Sequence, residues 1–587
     1  MKKLHICLCI WLLSVPVLLS QPVHPDLPQI TGCVALVHAR VVTAPGKSPV
    51  VANVITRNGL ITHVGSNGTI PNDAYRIAAD SFYVYPAFID AFSNTGIKEQ
   101  KEEQAQGGPP GPGNRSQRAP VDEDGNPSLE DAGITPFIST RTTFDPKSKL
   151  IEDWRNQGFA IAHVVPKGKM IPGKGAIVIL SGKSADEAIW KEDISLFSQW
   201  SGAGGNYPNT IIGMMAKWRE LYYNAEHSMA HLAMYSGAPM VSRPQYNRAH
   251  QAFIPVIKKE IPVYFRAPKI KDIYRALDLK KQLGMNMVIA DAQQAWSLKE
   301  YFQQPHLHLV LSLDLPEDKK EKKTPETKAD TTAVTDSTSQ VSTDTVKVDP
   351  EKAAFEKRRA ESYKEHLEQA GYLAKAGIPF SFSTMSGKSG DFSKTMQTLL
   401  KNGLDRDQAL HALTVAPSKL LGIDQYCGTI EAGKMANLIV ATKPLFEEGS
   451  MIRYMLVEGT LFDIEAKEKK KSESATNPST AGMLGGTWSY VINIPDQQRE
   501  GTLTFSVQSG EVTGKITLQE YSGGVITLRS IVVNKNSVSF SFPYTIEGQN
   551  IEVEYDIEIS GESFDGSVTA GSYGSFPVTG DRIEKPN

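Results

Sequence analysis

The chain has 587 residues, with 62 Lys and Arg against 65 Asp and Glu and a formal charge of −3. At roughly 100–200 residues per domain this suggests about three to five folding units, and 40% apolar with 22% charged residues describes an ordinary globular protein. The charge balance gives no support to a nucleic-acid partner, which needs a clustered basic excess. Four cysteines exclude a disulfide scaffold, and the composition excludes collagen-like and coiled-coil classes.

Met1–Ser20 sets Lys2 and Lys3 ahead of an apolar run that ends on a small residue before Gln21. This is the layout of a secretory signal peptide, and it is too short to span a bilayer comfortably. Its removal takes two lysines and no acid, leaving 60 basic against 65 acidic residues. No later segment approaches about 18 unbroken apolar residues, so the expectation is an exported protein, periplasmic or secreted, that does not span the membrane. Cys7 and Cys9 leave with the leader, and Cys33 and Cys427 remain.

Beyond the leader, Val34–Val42, Val54–Val64 and Ser81–Asp90 read as strands. Residues 98–127 carry the run from Gly107 to Gly113, rich in Gly and Pro, and read as a disordered insertion. Residues 316–354 contain no Leu, Ile, Met, Phe, Trp or Tyr and are crowded with Lys, Glu, Asp, Thr and Ser, and they read the same way. Strands at Ile261–Ala267, Met285–Asp291, His308–Leu313 and Ile378–Thr384 alternate with helices at Ile270–Leu283, Ala295–Phe302, Phe355–Ala376 and Phe392–Asn402. Alternation of this kind implies a parallel sheet, and so many repeats imply a (β/α)8 barrel over residues 81–425. The helix-poor flanks, 30–80 and 426–465, form a small composite β domain from both ends of the barrel's chain. Residues 466–485 are a Lys/Glu/Ser linker. From Gly486 the pattern changes: Leu503, Phe505 and Val507, then Val538, Phe540 and Phe542, then Ile551, Val553, Tyr555, Ile557 and Ile559 alternate with polar residues. Strict period two predicts an antiparallel barrel or sandwich over 486–587.

Three segments resemble the amidohydrolase superfamily, nearest its imidazolonepropionase-like and prolidase-like members. Asn53–Gly65 is similar to its "GkI..vG" hairpin, Tyr85–Asn94 (YPAFIDAFSN) to "PGFIDxHxH", and Ala409–Val440 to "eALraaT.npAkiLGl.d.iGsIe.GKdADLvV", with Asn437 where that pattern has Asp. The resemblance covers about residues 30–465 and implies a barrel that holds one or two divalent metals at the C-terminal ends of its strands. It also places Cys33 and Cys427 in the same composite domain, which raises the prospect of a disulfide. The family's ligands are an HxH pair after strand 1, His after strands 5 and 6, and Asp after strand 8. Carried onto this sequence, those positions hold Phe92 and Asn94, Arg266, Asp291 and Met385. Phe, Arg and Met do not ligate such cations usefully, and Asn does so weakly. No cofactor is therefore expected. Arg266 and Asp291, on neighbouring strands, can pair where a cation otherwise sits, with Phe92 and Met385 supplying volume.

Other motifs favour ordinary roles. His306-x-His308 starts the strand-7 segment, the wrong end for barrel chemistry. His227-x3-His231 lacks the Glu of HExxH and reads as a helix surface. Ser386–Gly390 (SGKSG) lacks the first Gly of a phosphate loop and reads as a barrel loop. Lys167–Gly175 resembles the family's "isG.ga.i.l.G" stretch and reads as a solvated loop near the barrel mouth. Gly486-Thr-Trp488 resembles the GxW opening of lipocalin-like barrels, in which Arg582 would close over Trp488 as a cation–π contact.

Three functions stay open on the sequence. The leading expectation is a catalytically degenerate homologue that binds a small molecule or a protein partner, such as an active relative, and a homo-oligomer is compatible with it. The second is an active hydrolase of C–N bonds, non-peptide or dipeptide-like, with displaced zinc or another divalent metal, or with a metal-free site around Arg266 and Asp291. The third is an envelope binding module acting through the C-terminal β domain.

Overall fold

The computed structural model describes residues 32–98, 127–237, 240–303, 307–316, 350–464 and, with short breaks, 484–584. The expected leader, nearly all of both insertions and most of the linker lie outside the described residues. Residues 350–354, read as part of the second insertion, instead open the helix Pro350–Lys375. Pro is well placed at a helix start, where its missing N–H is not needed, and the Glu, Lys and Ala that follow favour helix. The chain divides into two compact units at 466/467.

The first unit begins with β1 (Cys33–Val41), β2 (Val50–Arg57), β3 (Leu60–Gly65), β4 (Tyr75–Ala78) and β5 (Tyr83–Pro86). The Val54–Val64 run turns over at Asn58-Gly59, whose φ values of 50° and 83° are what a two-residue hairpin requires. The barrel strands follow: β6 (Phe88–Ser93), β7 (Phe159–Val164), β8 (Gly173–Ile179), β9 (Ile189–Gln199), β10 (Val263–Arg266), β11 (Met287–Ala292), β12 (Leu307–Ser312) and β13 (Phe380–Ser383), adjacent in that order. The expected strand Ser81–Asp90 thus divides at Ala87, because its two halves join different sheets.

Eight strands make the barrel, and one departs from the parallel pattern: β8 runs antiparallel to both neighbours. Only residues 165–172 separate β7 from β8, and a parallel connection needs a crossover of about a dozen residues. The chain therefore turns back as a hairpin. Between β6 and β13 the barrel is held by side chains. Asp90 Oδ1 accepts from Thr384 N (3.2 Å) and Asp90 Oδ2 from the Thr384 hydroxyl. Ser383 Oγ donates to Phe92 O (2.8 Å), and Ser93 and Thr384 hydroxyls lie 3.1 Å apart.

After the barrel, β14 (Leu438–Ala441), β15 (Ile452–Val457) and β16 (Thr460–Asp463) return to the first sheet, where β14 pairs antiparallel with β5. The small domain is thus built from both ends of the barrel's chain. Asn437 stays useful there, its Oδ1 accepting from Glu458 N at 2.7 Å. The disulfide does not form. Cys33 and Cys427 are in no disulfide and lie buried in different apolar clusters, Cys33 beside Ala35 and Ile55, Cys427 in the main barrel core with its thiol donating to Ile423 O. Sharing a domain is a weaker condition than the Cα separation below about 7 Å that a bridge demands.

The second unit is an antiparallel meander of β17 (Gly486–Ile494), β18 (Gln497–Gln508), β19 (Glu511–Leu518), β20 (Val525–Thr527), β21 (Arg529–Asn534), β22 (Ser537–Ile546), β23 (Gln549–Ser560), β24 (Ser563–Ala570) and β25 (Ser575–Glu584). β17 pairs with both β18 and β25. At the far end β20 pairs with β19, β21 with β22, and Leu528 between them donates to Gly514 O at 2.9 Å. One continuous segment therefore bridges the sheet's two ends and closes it, satisfying strand edges that would otherwise stay open. Leu503, Phe505, Val538, Phe540, Phe542, Val553, Ile557 and Ile559 fill its interior, where Tyr555 stacks on Phe540 at 4.9 Å.

Candidate functional site

The C-terminal ends of β9, β10, β11 and β13 converge on one polar network. Asp291 sits near the end of β11 with φ 55°, a left-handed conformation that Asp tolerates better than most residues. The β11–β12 register slips between Ile289 and Ala292, and such a bulge re-aims a side chain. The Asp291 carboxylate is fully buried, and burying an unpaired carboxylate is prohibitive, so partners must meet it. Arg266 Nε donates to Oδ2 at 2.8 Å, Ser386 Oγ to the same oxygen at 2.6 Å, and Ser383 Oγ to Oδ1 at 3.3 Å. Arg266 Nη2 also donates to Ser386 Oγ (2.8 Å), and its Nη1 to Gln199 Oε1 (3.4 Å). Asp291 is sealed, while the Arg266 side chain remains 32% exposed at the mouth.

The loop read as solvated is instead pinned to this network. Gln199 Nε2 donates to Gly168 O and Lys169 O, and Ser198 Oγ to Met170 O. On the other side Asp314 accepts from Gln293 Nε2 at 3.2 Å. Partial desolvation and the Asp291 charge raise its pKa, against the lowering influence of Gln293, Lys388 and Arg266.

Below the mouth aromatic rings gather around Phe92. Phe92 is fully buried, stacked on Tyr264 at 6.0 Å and edge-on to Phe197 at 5.3 Å. Asn94 is half-buried and its carbonyl accepts from Ile97 N. Met385 packs against the core, its N–H donating to Ser383 Oγ at 3.1 Å. Sequence reasoning missed His163, on β7. Its Nδ1 lies 3.1 Å from Ala91 O and its Nε2 2.8 Å from Ser195 Oγ. Nδ1 must carry the proton, so Nε2 accepts from the serine. A Cβ on Gly175 would come within 2.4 Å of Nε2, so only glycine lets β8 lie there. This is the polarity of a serine–base pair, but both side chains are sealed in the core and burial pushes the His163 pKa down to about 4. It ties β7 to β6 and β9. Asp90, the other buried acid, is pushed up to about 7 by burial.

The remaining candidates lie elsewhere. His308 is exposed at the start of β12, and His306 lies outside the described residues. His227 is exposed on the helix Ile211–Gly237, and His231 Nε2 lies 3.0 Å from Ser242 O. In the second unit the Arg582 guanidinium stands 4.1 Å from the Trp488 ring centroid, and Trp488 Nε1 donates to Leu484 O at 3.0 Å. Of the polar residues that complete the mouth, Ser383 and Ser386 lie at and just past the expected strand Ile378–Thr384, whereas Gln199 ends β9, a strand the sequence reading did not assign. Nothing in the sequence said that their side chains converge.

The family's metal does not fit these residues. An aromatic ring, an amide, a guanidinium and a thioether stand at four of the positions onto which the resemblance carries its ligands. The fifth, Asp291, is already bonded to a cation and two hydroxyls. Among the described residues no three His, Cys, Asp or Glu side chains gather as a metal site requires.

The sequence profile of the amidohydrolase family matches residues 310–468. An amidohydrolase from Thermotoga maritima MSB8 superimposes with a TM-score of 0.56 at 19% identity, over 73% of this chain and 100% of its own. A Xaa-Pro dipeptidase with methionine bound in its active site gives 0.39 at 13% identity, over 74% of this chain and 100% of its own. Molinate hydrolase gives 0.38 at 12% identity, over 74% and 95%. No curated protein matches the chain. The first unit therefore has the amidohydrolase-superfamily fold, and a closed antiparallel β domain follows it.

Proposed function

We propose that this protein is an exported, catalytically degenerate relative of the amidohydrolases, in which the barrel mouth binds a small molecule or serves a partner subunit and does not carry out metal-assisted hydrolysis. One observation carries the reading: Arg266 bonds Asp291 at 2.8 Å at the strand ends where the family's cation is held. A guanidinium there supplies the positive charge that Asp291 needs, and a second cation would be repelled at close range. Phe92, buried among aromatic rings, removes the ligand pair that would open the site. The leader-like Met1–Ser20 supports export, to periplasm or medium.

The test is elemental mass spectrometry on untagged mature protein offered zinc, manganese and iron, with amide and dipeptide turnover measured on the same samples. The expected result is no stoichiometric metal and no turnover. Close to one retained metal per chain, or turnover lost in Asp291→Asn, would overturn the reading. Terminal sequencing of protein from the periplasm and the medium should begin near Gln21, and an intact Met1 would remove the export part.

A further inference from the structure

Arg266 has five N–H groups in a rigid planar fork. Three are engaged: Nε–H on Asp291, one Nη2–H on Ser386 and one Nη1–H on Gln199. Among the described residues, one N–H on each terminal nitrogen has no protein acceptor, and the side chain is 32% exposed. The fork is also held still. Asp291 and Ser386 bond each other as well as the guanidinium, and Gln199 is itself fixed to the Gly168–Lys169 carbonyls. A pre-oriented guanidinium loses little entropy on binding, which favours a planar bidentate acceptor.

We propose that Arg266 anchors the carboxylate of a small molecule at the barrel mouth, through the N–H left on each of its terminal nitrogens. This rests on the reading that a guanidinium has taken the cation's place, and it adds the class of ligand. Charge selects a monoanion. Asp314 feels the charges of Asp291, Lys388 and Arg266, so beside Arg266 a phosphate dianion would meet two carboxylates. A single carboxylate matches the fork in shape and adds one charge.

Calorimetry on the full metal-free chain, at fixed ionic strength, would compare benzoate with its neutral isostere benzamide and with phenylphosphonate. Benzoate should bind at millimolar concentration or below, about tenfold tighter than either. Arg266→Lys, which keeps the charge and removes the fork, should weaken benzoate about tenfold, with folding checked by circular dichroism. Equal binding of benzamide, tighter binding of phenylphosphonate, no benzoate binding, or unchanged affinity in folded Arg266→Lys would each overturn the proposal. The wild-type comparison stands even if the variant does not fold. Metal retention or turnover would defeat the preceding reading. A metal-free, inactive chain that ignores benzoate would defeat this one alone.

Discussion

Two barrels in one chain close in different ways. In the second unit β17 and β25 share a backbone ladder, with Trp488 buried beneath Arg582. In the first, side-chain bonds among Asp90, Ser93, Ser383 and Thr384 join the first and last strands. An antiparallel meander brings its terminal strands together through repeated short turns, whereas the α/β barrel must join strands nearly three hundred residues apart. The lesson is that buried polar groups in the first unit hold the closure as well as furnish the mouth, while the interior of the second is packed with aromatic and aliphatic side chains.

The largest expected effects break one closure at a time. Trp488→Ala should remove about 3–5 kcal/mol from the second unit. Asp90→Ala should remove about 3 kcal/mol from the first, because it strands two buried N–H groups and a hydroxyl. Denaturant unfolding followed by unit-specific probes should show each loss confined to its own transition, and a shared loss would mean that the units fold as one. Next, Arg266→Met leaves Asp291 buried without its cation and should cost about 2–3 kcal/mol, while adding Asp291→Leu should recover most of it. Failure to recover would mean that the pair specifies the barrel's geometry as well as neutralising charge.

The acid–base couple sharpens the comparison further. The folded pKa of Asp90 is raised to about 7, so its stabilising contribution is complete below about 4 and lost as pH rises toward 7. That of His163 is depressed to about 4, so its contribution is complete above about 6.5 and lost as pH falls toward 4. The two slopes oppose each other. Relative to wild type, Asp90→Asn should gain stability from pH 4 to 7, and His163→Gln should gain it from pH 6.5 to 4, each read from urea midpoints. Parallel slopes in the two variants would contradict the assignment. The smallest effect is Arg582→Lys, which keeps the charge but weakens stacking on Trp488, at about 0.5–1 kcal/mol by thermal unfolding.

Much of this was legible residue by residue. The period-two runs from Leu503 onward are strands because one face is buried and the other solvated. The helix Ile270–Leu283 falls where its pattern put it, and the structure closes it on Gly284 at φ 66°. Phe92 falls in the Tyr85–Asn94 motif, whereas Arg266, Asp291 and Met385 were placed by carrying the family's strand ends onto the expected strands. His163, Ser195 and Gly175 were not legible, since an apolar strand with one histidine looks the same whether the ring meets a serine or solvent.

The sequence by itself determined the split into an α/β unit and a period-two β unit, because periodicity is local; five of the barrel's eight strands were read from their pattern, and the ligand positions came only from the family resemblance. Only the tertiary structure decided that β8 runs backwards, that Cys33 and Cys427 stay apart, and that Ser386 and Gln199 join the expected Arg266–Asp291 pair in one network. Strand direction depends on how far a connection can reach. Side-chain convergence depends on dihedral angles such as that of Asp291, which no motif encodes.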